Sequence, residues 1–386
     1  MPTLDSSYVR EQLFRLIALD SRNPTLTLGA PGETEIGNYV FAELQRLGVD
    51  VQLQETAAPD RRNVIARLVG NAPGVLPSLM LNGHLDTVNV EGMEAPFTPW
   101  EQHGLVYGRG SQDMKGSLAV MLGIAACMAQ CNERPPRDVT LAFVVDEEGD
   151  SIGTEALVQE FPAAEAVVLE PTDLQLAVAH RGFVWYRICS VGRAAHGSRF
   201  AEGVDAIANL GPFLQGLQRL AQELVARPAQ SLAGPPSLHA STITGGTELS
   251  VYPAQCELTV ERRTAPEENI VAVTQEIQTL VDLANRGSET AAVSLRTLQT
   301  RKPFQAQPGS PLAARIATAR AARHLGGPEE ISVPFWTDAA ILAEAGSDCV
   351  VLGPRGFGLH SVEEWVSLES LDTLGRLLLD IIWDAD

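Results

Sequence analysis

Four short apolar runs do most to limit what this chain can fold into, because an acid or a histidine closes or shortly follows each. Leu79-Met80-Leu81 leads to His84 and Asp86, Val139 to Val145 leads to Asp146-Glu147-Glu148-Gly149, Glu170 closes Ala166 to Leu169, and Cys349 to Leu352 precedes His360. Runs of this length read as buried strands. In an open α/β sheet, ligands collect outside the carboxyl ends of the strands, so the four segments would deliver polar groups to one crevice. Two adjacent glutamates at such a place can divide the work, one holding a metal and the other taking a proton from water.

The rest of the chain has the rhythm such a sheet requires. Residues 7–19 and 34–47 carry apolar positions at helical spacing, while 49–53 and 63–69 alternate as strands do. A strand at 78–83, a helix at 115–130, a strand at 138–145, a helix at 153–160 and a strand at 165–170 follow with short connections. This order predicts an α/β fold, a mainly parallel sheet sandwiched by helices. From residue 177 the pattern changes to two strands ending at 191, a long helix from about 203 to 227, strands at 238–244 and 254–263, and a helix at 267–285. Helices at 310–324, 337–345 and 369–383 and a strand at 348–352 then restore the first pattern. A chain of 386 residues exceeds one typical compact core. The expected division is a first domain over 1–176 and 294–386, interrupted by an α+β insert over 177–293.

A formal net charge of −20 would repel phosphate backbones and anionic lipid, which argues against nucleic-acid and membrane-surface partners. The five cysteines, Cys127, Cys131, Cys189, Cys256 and Cys349, are odd in number and scattered through apolar sequence, as reduced thiols of a cytoplasmic protein would be. Residues 1–15 mix Asp5, Arg10, Glu11 and Arg15 among the apolar positions and leave no signal-peptide core. The longest apolar stretch, Ser117 to Ala129, is too short for a span of about 20 residues and suits a buried helix.

Taken singly, the polar motifs admit two readings each. His84 and Asp86 share one face of an extended segment, so the Asp86 carboxylate can accept the second imidazole N–H and orient the ring, or the pair can be a hydrogen-bonded strand end. Gly108 to Gly116 looks like a phosphate loop until its order is read: Lys115 precedes the glycine, and Asp113 would face the phosphates. Asp113 is then a helix cap or a carboxylate bridging two cations. His196, beside Gly197 and Ser198, is a turn histidine. Arg263 is a solvated strand arginine or a fork for a carboxylate, and Asp338 is a helix N-terminal acid or a group near substrate.

The motifs appear together in a telling order. His84-x-Asp86, Gly-x-x-Asp113-Met-Lys-Gly116, Asp146-Glu147-Glu148-Gly149, Leu169-Glu170-Pro171-Thr172 and His360-Ser361 resemble, from about residue 5 to the C-terminus, the dinuclear metallohydrolases that include acetylornithine deacetylase, succinyl-diaminopimelate desuccinylase, aminoacylase and glutamate-releasing carboxypeptidases. The resemblance implies that Asp113 bridges two zinc ions, that His84 and Glu170 complete one site, and that Glu148 and His360 complete the other. Glu147 is left as general base. Cobalt or manganese could replace zinc among such ligands. The family's cis peptide would fall at Asp113-Met114.

Further positions follow the same resemblance. Arg193 to Ser198 is similar to a lid motif whose histidine, here His196, reaches the partner subunit's site and stabilises the oxyanion, which implies a homodimer. Arg263 matches the arginine that binds the substrate α-carboxylate, and Thr337-Asp338 matches a pair near substrate. Ser250 stands where the family usually has a substrate-contacting asparagine, so substrate identity is less secure than reaction type. The expected function is metal-dependent hydrolysis of an N-acyl amino acid, acetylornithine deacetylation first, with desuccinylation of succinyl-diaminopimelate or a metallo-carboxypeptidase or dipeptidase activity as alternatives. A non-catalytic metal-binding homologue is the reading from a different class.

Overall fold

The computed structural model describes residues 3–131, 133–286, 292–327 and 329–384. The chain separates into two compact units, one of residues up to 178 with 306–331 and 337 onward, the other of 179–305 and 332–336. The sequence reading draws its insert from 177 to 293.

The first unit is an α/β sheet flanked by helices, as the apolar runs predict. Its strands lie in the order Asp50–Gln54, Asn63–Leu68, Val139–Val144, Leu79–His84, Glu165–Val168 and Asp348–Val351, with Ala177 paired to Val351 at the end. The last four named strands are parallel neighbours, and the pairings outside them are antiparallel. Parallel central strands are covered on both faces and need no alternation. Leu79–His84 and Glu165–Val168 are accordingly buried at every position.

The helix Gly116–Gln130 is buried at every position from Gly116 to Ala126 because the helices Ser6–Ile17 and Leu368–Trp383 both pack on it. Val9, Leu13, Leu118, Leu122, Leu374 and Leu378 belong to the resulting core. Gly123 permits the approach: a Cβ there would stand 2.5 Å from Val9 Cγ2. Asp5 Oδ1 caps the N-terminal helix by accepting the N–H groups of Ser7 and Tyr8.

A second, four-stranded sheet was not legible in the sequence. Trp100–Gln102 and Leu105–Tyr107 form a hairpin that turns through His103 (φ 53°) and Gly104 (φ 77°), and Trp365–Ser367 and Gly356–Phe357 extend it. These strands are only two or three residues long, and the first is wholly exposed, so neither periodicity nor apolar content marks them. The sheet matters for position: the chain leaving Tyr107 carries Asp113, and the chain between Phe357 and Trp365 carries His360.

The second unit is an antiparallel sheet in the order Ser237–Gly245, Gln255–Thr264, Gly182–Val191, Ala292–Arg301. The helices Gly211–Ala226 and Ile270–Ala284 pack on it over Tyr186, Ile188, Phe213, Leu258 and Ile277. Two local expectations are corrected. The helix expected from about 203 begins at Gly211, because Asp205 Oδ1 accepts the N–H groups of Ile207 and Ala208, both at 2.9 Å, and closes a separate turn. Pro212 then sits in the first helical turn, where its missing N–H is harmless. The strand Ala292–Arg301 escaped notice because a register shift between Thr297 and Gln299 breaks its alternation.

Candidate metal centre

The carboxyl ends of three of the four parallel strands lead directly into the polar residues, and His360 comes instead from the loop between Phe357 and Trp365. His84 is the last residue of Leu79–His84, Asp146 to Glu148 follow Val139–Val144, and Glu170 follows Glu165–Val168. Asp146 and His360 adopt left-handed backbone, with φ 68° and 57°. Such positions cost of order 1 kcal/mol or more away from glycine, and Asp and His are among the side chains that tolerate them. Asp113 lies in a wide turn that starts at left-handed Gly110 and ends at the helix Gly116–Gln130, and its peptide to Met114 is cis.

The side chains converge. His84 Nε2 lies 3.0 Å from Asp113 Oδ1 and 3.4 Å from Glu170 Oε1, while His360 Nε2 lies 3.3 Å from Asp113 Oδ2 and 3.1 Å from Glu148 Oε1. Each oxygen of Asp113 therefore faces a different imidazole. Glu147 joins His84 and Glu170 in a second arrangement whose possible ligand atoms all lie within 4.8 Å of one another. The His84 side chain is 1% exposed and that of His360 54% exposed, so one end of the cluster is sealed and the other open.

The charge balance calls for cations. Burial, reinforced by the neighbouring Glu170 charge, pushes the Glu147 carboxyl well above the usual carboxylate range; burial and the Asp113 charge do the same to Glu170, and Glu148 is raised for the same two reasons. Asp113 is held low against its own burial by hydrogen bonds with His360 and His84. Burial opposes a charged His84 ring, yet the surrounding Asp113, Glu170 and Asp86 raise it well above the ordinary imidazole value. Hydrogen bonds to Asp113 and Glu148 raise His360 to about 10. Four largely buried carboxylates with two imidazoles form a donor set that fits two divalent cations, whose charge would take the place of the protons. Oxygen and imidazole donors suit zinc, cobalt or manganese.

The support around these groups differs in one respect from the expectation. His84 Nδ1 meets the backbone carbonyl oxygen of Asp86 at 2.9 Å, whereas the nearest Asp86 carboxylate oxygen is 3.6 Å away. The carboxylate instead accepts the backbone N–H groups of Glu147 and Glu148, both at 3.1 Å, and the side-chain amide of Asn23 at 2.7 Å. Asn23 also reaches Asp146 at 2.9 Å, and Arg61 pairs with Asp146 at 2.7 Å and with Glu33. Thus Asp86 fixes the turn that bears both glutamates, and its own backbone orients the ring.

Asp338 is buried and accepts from Thr154 Oγ1 at 2.6 Å. It does not cap the helix Ala339–Glu344 with its side chain, and its charge acts on both Glu147 and Glu170. Of the functional side chains that the sequence reading missed, Glu364 is the clearest. It is buried, its Oε2 accepts from Arg109 Nη1 at 2.6 Å and Gly110 N at 2.9 Å, and its Oε1 accepts from Gln112 N at 2.9 Å and Asp113 N at 3.1 Å. The only signal was Arg109 within the glycine-rich run and an acid four residues after His360.

His196, Ser250 and Arg263 lie in the second unit. His196 Nδ1 accepts the Ser198 backbone N–H at 3.2 Å and stands 2.8 Å from Ser198 Oγ, which leaves the ring proton on Nε2. Gly197 N donates to the Ser250 carbonyl at 2.7 Å, so the His196 turn and Ser250 are neighbours. Arg263 is held by Glu261 Oε1 at 2.6 Å and lies over the Phe183 ring at 5.3 Å. Its neighbour Arg262 points to the opposite face of the strand, where Glu268 and Glu276 bind it in the core.

Comparison with known proteins identifies the family and the fold. The model of the peptidase family M20/M25/M40 matches residues 80–384. Acetylornithine deacetylase of Myxococcus xanthus is 27% identical over 375 residues, 94% of this chain and 93% of that protein. Succinyl-diaminopimelate desuccinylase of Stenotrophomonas maltophilia is 30% identical over 325 residues, 78% of this chain and 82% of that one. Among solved structures, an M20 family metallo-carboxypeptidase from Sulfolobus solfataricus superimposes with a TM-score of 0.79 at 15% identity, over 97% of this chain and 98% of that chain.

Proposed function

The chain belongs to peptidase family M20/M25/M40, and from that premise we propose that it is a two-metal hydrolase of the amide bond in N-acyl amino acids, with acetylornithine-type deacetylation as its first assignment. The observation that carries this reading is the Asp113 carboxylate, whose two oxygens face His84 at 3.0 Å and His360 at 3.3 Å, as a bridge between two cations requires. In this assignment His84 and Glu170 complete one site, Glu148 and His360 the other, and zinc is the metal. Bound cations of this kind polarise a carbonyl and make water more acidic.

The protein's own groups do the rest. Glu147, whose carboxyl burial and the Glu170 charge lift toward proton affinity, takes the water proton and hands it to the leaving amine. Asp86 keeps the Glu147 backbone in place for that transfer. The Nε2–H of His196 is the donor for the oxyanion, supplied by the partner in a homodimer. Arg263, fixed by Glu261, binds the substrate α-carboxylate, and Ser250 and Asp338 border the substrate. The second unit is the lid in this reading. No helix among the described residues is long and apolar enough to cross a membrane, and the five cysteines are unpaired, which supports a cytoplasmic enzyme.

Desuccinylation is the alternative favoured by the 30% identity to the Stenotrophomonas maltophilia enzyme. A hydrolysis panel of N-acetylornithine, other N-acetyl amino acids, N-succinyl-diaminopimelate and dipeptides, read as free-amine release from zinc-, cobalt- and manganese-loaded protein, tests the assignment. Preference for N-acetylornithine is the expected result. Failure on every substrate with two metals confirmed per chain would overturn it in favour of a different amide or a non-catalytic homologue.

A further inference from the structure

Glu364 occupies an unusual place among the buried carboxylates. Its two oxygens take four N–H donors, three from the backbone of the turn that bears Asp113 and one from Arg109. Arg109 also donates to the Ser361 carbonyl at 2.9 Å, next to His360, and to the Asn89 carbonyl at 3.0 Å. Gly108 N adds a backbone bond to the Glu364 carbonyl at 3.2 Å. The segments carrying Asp113 and His360 leave the same small sheet, since Leu105–Tyr107 pairs with Trp365–Ser367. The pair closes the free ends of both segments against each other.

We propose that Glu364, with Arg109, is a positioning residue that sets the Asp113 and His360 side chains for the metal bound between them and Glu148. The inference rests on the two-metal reading above. Glu364 is no ligand in this assignment, because both of its oxygens are committed to N–H groups. The effect is unequal. His84 and Glu170 stand at strand ends fixed by the sheet ladder, whereas His360 sits in a loop with no ladder of its own. Loss of the clamp therefore loosens the metal held by His360 and Glu148 more than the other, which shares only Asp113 with it.

The test uses the full chain, stripped of metal and titrated with zinc against a competing chelator. Glu364→Gln keeps the side-chain volume but turns an NH2 group toward backbone N–H donors. Glu165→Gln is the control, because Glu165 is a buried partner of Arg137 at the opposite end of its strand. The wild-type protein should take up two zinc ions; fewer than two would defeat the two-metal reading itself. In Glu364→Gln the two zinc affinities should separate, one falling about 10- to 100-fold, the usual range for removing a group that orients ligands, and the other, which feels only the shift of Asp113, falling clearly less. Excess zinc should then restore kcat at unchanged KM. Glu165→Gln should lower Tm and leave both zinc affinities alone. Two zinc ions held as in the wild type, or both weakened alike, would overturn the proposal. Should Glu364→Gln fail to fold, Arg109→Lys, which keeps a cation beside Glu364 but loses the fork to Ser361 and Asn89, must show the same unequal loss.

Discussion

The two ends of the candidate metal centre are built by different means. At the sealed end, His84 and Glu170 follow parallel strands that are neighbours in the sheet, and a three-residue step along either strand would carry the ligand away. At the open end, His360 stands on a left-handed turn in a loop and depends on an ion pair between residues 255 positions apart in sequence. The contrast teaches that a rigid sheet edge can serve as a template for half of a site, while the other half is assembled by side chains reaching across loops. It also separates stability from function. The groups at the sealed end are part of the fold's interior, whereas His360 at the open end is exposed.

The largest effect should come from Glu147, which groups with His84 and Glu170 at the sealed end. Glu147→Gln should lower kcat by about 10²- to 10⁴-fold, the usual contribution of general acid–base catalysis, with two metals still bound. Metal analysis alongside steady-state rates checks it; near-normal turnover would remove Glu147 from the base role and leave it one more acid beside His84 and Glu170.

A second comparison strikes the two ends in turn. His84→Ala should destabilise the metal-free protein by about 3–5 kcal/mol, because it leaves Asp113 and Glu170 buried without their shared partner. His360→Ala, at an exposed position, should change stability by no more than about 1 kcal/mol. Denaturant unfolding of the two variants measures both. Equal losses would mean that the centre is uniform after all.

The mildest perturbation is pH. His360 is raised to about 10 in the metal-free protein by Asp113 and Glu148, from an ordinary value of about 6.5. A raised histidine stabilises the fold fully below its ordinary value and ceases to do so as pH climbs through the raised one. Burial, which raises Glu147 and Glu170, acts in the same direction, since ionising them in place is costly. The Tm of metal-stripped protein should therefore fall from neutral pH toward pH 10, and zinc should flatten that slope. A flat profile without metal would show that the open end holds no proton worth stabilising.

Much of this was legible in the sequence, for a definite reason. His84, Glu147, Glu148 and Glu170 are found by reading where buried strands end, and burial on both faces leaves long apolar runs that are hard to miss. The Asp86 carboxylate was placed on the right face but given the wrong partner, because two backbone N–H groups offered it better geometry than the imidazole of its own strand. Glu364 and Arg109 were passed over because their meaning lies in a contact of long sequence separation. Asn23, Arg61 and Glu33 were missed for the same reason. No local pattern distinguishes a buried arginine–glutamate pair from two surface charges until the chain has closed around it.

The interruption of the first unit gives the site a history during synthesis. By the time Glu170 has left the ribosome, His84, Asp113, Glu147 and Glu148 have already been made, and the 189 residues from 171 to 359 remain before His360 follows. At about 5 to 20 residues per second, that is a wait of about 10 to 40 seconds. A nascent chain therefore exposes a cluster of acids and a single histidine long before the second imidazole and its Glu364 clamp exist. The full two-metal site is among the last things the growing chain can finish.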